Sequence, residues 1–169
     1  MTLTTHIVAG AAGARLFAGN PVEGFIIGWL SHYVLDSIIH WDYKISSAEP
    51  QLFLPGANAG KVSVRSRAFI SDILKVSFDV ALGFVLVFMF LSHEADPRYL
   101  LLLAGGLGGV IPDFLQFIYV VWRNRVLEYM QKLHNLLHAK TKINHRPVLG
   151  IISQALLILI ILFLFNFTY

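Results

Sequence analysis

The apolar residues of this chain are gathered into blocks, at 25–30, 80–91, 100–110 and 148–167, and the polar residues collect between them at 43–67 and 123–146. A soluble core is assembled from periodic stripes, whereas a bilayer selects helices that are apolar for about 20 residues. The overall balance agrees, with 56% of residues hydrophobic and 14% charged, against about 45–50% and 25% in soluble domains. A length of 169 residues gives material for one compact domain, 1–169. The sequence therefore predicts an all-α fold, a polytopic integral membrane helical bundle of four to five membrane helices plus one interfacial helix.

Five apolar helical segments fit the pattern. The first, at 4–18, is short enough to make spanning marginal; Thr5 or Thr4 can cap it, and Gly19-Asn20-Pro21 supplies the stop. The others are expected at 21–41, 67–92, 98–122 with an interruption at Pro112, and 147–167. Residues 123–142 keep helical spacing with a polar face, as an interfacial helix does. Residues 44–66, with Pro50, Pro55, Gly56 and Gly60, read as a loop within the domain. The first residues lack the basic stretch of a signal peptide, and Arg15 breaks what would be its apolar part, so this segment is expected to stay in the mature protein.

Basic residues set the expected orientation. Lys44, Lys61, Arg65 and Arg67 lie in one long loop, and Arg123, Arg125, Lys132, Lys140, Lys142 and Arg146 in the other, whereas the turn His93–Pro97 is acidic. The positive-inside rule places the loops at about 43–66 and 123–146 in the cytoplasm, with the N-terminus inside and the C-terminus outside. A formal charge of +3 is too small to argue for nucleic acid, and membrane lipid is the expected partner. The chain has no cysteine, so a metal would have nitrogen and oxygen ligands alone.

His32, Asp36 and His40 recur every four residues and would climb one face of the second helix. Ionisable groups within a span cost several kcal/mol unless paired or ligated, so three along one face call for a partner. Asp72 and Asp79, seven apart with Lys75 between them, form either a second acidic face or a simple ion pair with that lysine. Asp113 follows Pro112, where it can ligate an ion or cap the helix after a break. His134 and His138 make an H-x-x-x-H pair, but Asn135 stands where an H-E-x-x-H protease has its glutamate. With the expected orientation, His6, Asp36, His40, Asp72, Asp79, Asp113, His134 and His138 fall toward the inner membrane face. Gln154, at the base of the last helix, is placed to bond either a ligand or a neighbouring helix. Gly28 and Gly105 each precede an aspartate by eight residues, a weak internal echo.

The pieces THIVAG, SHYVLD and GGVIPDFLQ, followed by HNLLH, resemble the bacterial membrane-bound metal-dependent hydrolase family, itself distantly likened to zinc-dependent phospholipase C. The likeness rests on His6, Ser31, His32, Asp36, Pro112, Asp113, His134 and His138 and touches about half the chain. Leu115 stands where an acid is usual, and the Ser-His-x-x-x-Asp helix comes early instead of late. The resemblance implies a divalent-metal cofactor, zinc foremost, and a place in the bacterial cytoplasmic membrane.

Together these readings lead to an expected metal-dependent hydrolase acting at the inner leaflet on lipid phosphoesters. His6, His32, Asp36, Asp113, His134 and His138 would hold one or two Zn²⁺ or similar ions, Asp79 and His40 would be catalytic, and Lys61, Arg65, Arg67 and Arg146 would hold the phosphate. The alternative is a non-enzymatic membrane protein, a divalent-cation carrier or a packing module with a structural ion. The apolar stretches 80–91 and 156–165 offer no polar relay for a carrier, and five spans are few for one unless the chain forms a homo-oligomer.

Overall fold

Short helices rich in glycine and alanine can approach one another more closely than helices of large residues, and this chain is organised around such an approach. The computed structural model describes residues 1–47, 66–91 and 98–168, so Lys61, Arg65 and the turn with His93 lie outside the described residues. Among the described residues the structure is all helical: α1 (Leu3–Phe17), α2 (Pro21–Asp36), α3 (Arg67–Leu86) running on into a π-helical stretch (Val87–Leu91), α4 (Tyr99–Val121), α5 (Arg125–Leu137) and α6 (Pro147–Thr168).

Among the described residues three helices, not four to five, are long and apolar enough to cross a bilayer: Arg67–Phe90, Tyr99–Val121 and Pro147–Phe165. The difference from the sequence expectation lies in α1 and α2, whose 15 and 16 residues extend only about 22 and 24 Å against about 30 Å of hydrocarbon. Thr2, not Thr4 or Thr5, caps α1, its side chain accepting from Thr5 N. Asn20 caps α2 and Pro21 fills its first turn. Whereas the sequence predicts a helix to residue 41, α2 stops at Asp36 because the chain beyond it pairs with the segment after α5. Ala139 N donates to Asp36 O at 2.7 Å, Ile143 N to His40 O at 3.2 Å, and Asp42 N to Asn144 Oδ1 at 2.9 Å. The expected interruption of the fourth helix does not occur either, for α4 passes through Pro112 unbroken. Neighbouring helices support a spanning helix enough to tolerate the missing donor.

α1 is the most enclosed element, buried along most of its length, and it packs between α2, α3, α4 and α6. Its contact with α2 and α4 is backbone against backbone. A Cβ on Gly28 would overlap the carbonyl oxygen of Gly105, one on Gly10 would meet the same oxygen, and one on Gly109 would meet the oxygen of His6. Position 24 meets 101 and 28 meets 105, so α2 and α4 run parallel, while 10 meeting 105 and 6 meeting 109 makes α1 antiparallel to both. Ile7, Val8, Ala11, Val87, Leu102 and Leu162 pack as the apolar core beside this crossing.

Candidate metal centre

One helical turn beyond the glycine crossing, the side chains of the three helices converge. His6 lies four residues before Gly10 and His32 four after Gly28, and their rings stack with centroids 4.1 Å apart at 28°. Two turns beyond Gly28 and Gly105 come Asp36 and Asp113. α5 then lies across this end: His134 and His138 approach from its last turn and its cap, their rings 5.4 Å apart.

Asp36 is the centre of the group, and its side chain is 2% exposed. Its Oδ1 lies 3.2 Å from His6 Nε2 and 3.6 Å from His40 Nε2, and its Oδ2 lies 3.3, 3.8 and 3.6 Å from the Nε2 atoms of His32, His134 and His138. Asp113 Oδ1 adds contacts of 3.9 Å to His32 and His134. Among the described residues two sets of ligand atoms within 4.8 Å of one another emerge: His32, Asp36, Asp113 and His134, and Asp36, His40 and His138. The structure thus brings together His6, His32, Asp36, His40, Asp113, His134 and His138, as the spacing predicts, although His40 arrives from the extended chain after α2 and not from its helical face.

The imidazoles are oriented from behind. The Nδ1 of His32 donates to Gly109 O at 2.8 Å, that of His40 to Ile38 O at 2.7 Å, and that of His138 to Ala139 O at 3.2 Å. When neutral, a ring that donates from Nδ1 has its lone pair on Nε2, the atom that each of these three turns toward the carboxylates. The Nε2 atoms of His32 and His40, both ring nitrogens of His6 and Nδ1 of His134 are buried without a hydrogen-bond partner. Burial drives the pKa of His134 down to about 4 against the pull of Asp113, and burial lowers His138 as well against Asp36, so both α5 rings are neutral at pH 7. A buried set of nitrogen and oxygen donors of this kind suits a divalent ion.

No protein-family model, curated protein or solved structure matches the chain. The site is therefore interpreted from its own geometry.

The remaining residues singled out in the sequence have other duties. Asp79 stands apart from the cluster and caps α1 from α3: its carboxylate accepts from Leu3 N at 2.7 Å, Thr4 N at 3.1 Å and Thr4 Oγ1 at 2.6 Å. Asp72 accepts from Lys75 Nζ at 3.1 Å and from Ser47 N at 2.7 Å, the simple ion pair among the two alternatives. Gln154 bonds neighbours, accepting from Thr2 N at 2.7 Å and donating to Trp41 O at 2.7 Å. Arg67 and Arg146 are exposed.

Asp42 and Lys142 belong to the cluster although sequence reasoning passes over them as site residues. Asp42 Oδ1 lies 3.0 Å from His40 Nε2 and 2.8 Å from the Met1 ammonium, which also reaches Asp36 Oδ1 at 3.2 Å, and Lys142 pairs with Asp42 Oδ2. Burial opposes the charge on Asp42, yet these three neighbours hold its carboxyl well below the usual carboxylate range. The one signal in the sequence is its place two residues after His40.

Proposed function

We propose that this chain is a membrane-embedded metal-dependent hydrolase that acts on phosphoesters at the inner leaflet. The observation that carries the proposal is the set of Nδ1-anchored imidazoles whose Nε2 lone pairs converge on Asp36. His32, Asp36, Asp113 and His134 would hold the ion, and the Gly109 carbonyl behind His32 keeps that ring oriented for it. When bound, a divalent ion supplies Lewis-acid chemistry and lowers the pKa of a coordinated water.

The approach to the cluster is at Asp113 and Asp42, whose side chains keep 24% and 22% exposure where Asp36 keeps 2%. At that rim stands Lys142, its side chain 39% exposed and its ammonium paired with Asp42, better placed to receive a phosphate than Arg67 or Arg146. α5 leaves Val126, Tyr129, Leu133 and Leu136 exposed, as a helix resting in the lipid interface does. Lipid phosphoesters could thus enter sideways. The resemblance to the membrane-bound metal-dependent hydrolases points the same way. Asp79, engaged in capping α1, has no catalytic part in this reading.

The second reading is a packing module in which Asp36 is the counter-ion of protonated histidines, and its contacts of 3.2 and 3.3 Å to His6 and His32 would serve that role equally. Elemental analysis of the detergent-purified protein separates the two, together with phosphate release from phosphatidic acid vesicles before and after chelation. The hydrolase reading expects bound divalent metal, chelator-sensitive release and loss of both in Asp36→Ala. A metal-free protein whose stability ignores chelators would sink it.

A further inference from the structure

The donor set is larger than one ion can use. A tetrahedral zinc takes four ligands and an octahedral ion about six, whereas five imidazoles and three carboxylates gather here. They also fall into two sets with one member in common. His32, Asp113 and His134 join Asp36 in one set and His40 and His138 join it in the other, the ligand atoms of each set lying within 4.8 Å of one another.

We infer that the centre is dinuclear, with the Asp36 carboxylate bridging two divalent cations. The first ion is held by His32, Asp113 and His134, and the second by His40 and His138. The inference rests on the metal-dependent reading above and gives it a stoichiometry and a division of labour.

Three observations support the second position. The His40 and His138 rings lie with centroids 4.8 Å apart, tilted at 50°, and Nδ1 of each is anchored on a backbone oxygen, so both Nε2 atoms enter the same space. Asp42 touches both rings, at 3.0 Å from His40 Nε2 and 3.9 Å from His138 Nε2, and can supply a further oxygen. The Met1 ammonium lies between Asp36 and Asp42, so this is a place where the carboxylates already gather positive charge, and the second ion displaces it. A carboxylate that bridges through its two oxygens holds ions about 3.5–4 Å apart, the separation used to clamp the attacking and leaving oxygens of a phosphoryl centre. His40 is then a ligand and not a proton carrier.

The test is a titration of metal-free, detergent-purified protein with Mn²⁺, followed by elemental analysis and electron paramagnetic resonance. The expected result is two ions per chain with a spin-coupled spectrum. His40→Ala should bind one ion and lose the coupling, and Asp113→Asn should bind one ion at the other position. Saturation of the unaltered chain at one ion, or two ions without coupling, overturns the dinuclear centre and leaves the metal-dependent reading standing. Binding of none overturns both. Because the unaltered chain decides the stoichiometry, a variant that fails to fold, read from gel filtration and thermal unfolding, does not obscure the answer.

Discussion

Two parts of this molecule use apolar sequence in opposite ways. In α1, α2 and the middle of α4, small residues let backbones touch and bury polar side chains against one another; in α3 and α6, large apolar residues such as Phe78, Leu82, Leu159 and Phe163 point outward, 40–70% exposed. Within their membrane-length windows α4 is 39% buried, α6 22% and α3 11%. The first group is a packed core carrying a polar centre, and the second is an outward-facing apolar wall. Hydrophobicity alone therefore marks the wall, while the part that carries the site is marked by glycine spacing and by the cost of its buried charges.

The largest test of this contrast is Gly28→Val. The new side chain would collide with the Gly105 carbonyl, which belongs to backbone and cannot yield. Overpacking of this kind costs about 3 kcal/mol, and it separates α2 from α4 just where their ligands must meet. Thermal unfolding in detergent and metal content should fall together; a variant with unchanged metal would show that the crossing does not position the centre.

The centre should also respond to acid. Unfolded histidine takes up its proton near 6.5, folded His134 only near 4, so the unfolded chain binds more protons between these values. Stability of the metal-free protein is then present at neutral pH and declines as the pH falls through that window, by order of 3 kcal/mol. Chemical unfolding of the metal-free protein at pH 7 and 4.5 measures this, and His134→Gln should flatten the dependence. An equal slope in the variant would locate the acid sensitivity elsewhere.

A smaller effect joins the two regions. Asp79→Ala removes the acceptor on α3 that serves the first turn of α1, a capping loss of about 1–2 kcal/mol. Its metal stoichiometry should be unchanged, and loss of one metal equivalent would return Asp79 to the centre. The smallest effect is expected on the wall: Leu159→Ala, at a side chain 62% exposed, should shift stability by no more than about 0.5 kcal/mol. A loss above 2 kcal/mol would mean that this face is covered by protein instead of lipid.

Much of the centre is legible in the sequence, because His32, Asp36, Asp113, His134 and His138 are residue types that a membrane protein does not bury idly. Their convergence needs only helical spacing and a common membrane face. Asp42 is hidden because a helix carried through to residue 41 leaves no reason for a turn there, and the real end of α2 is fixed by pairing with residues a hundred positions away. The role of Asp79 is hidden for a related reason: spacing puts it on a face, but not against the start of another helix. The number of crossing helices is overread because α1 and α2 have the composition of spans without the length.

The parallel course of α2 and α4 turns the Gly28–Gly105 contact into a fulcrum. Asp36 and Asp113 both stand eight residues past it, a lever arm of about 12 Å, and a change of about ten degrees in the crossing angle would move their ends by about 2 Å, the length of a metal–ligand bond. Whatever sets the angle between these two helices thus also sets how far apart the two carboxylates stand.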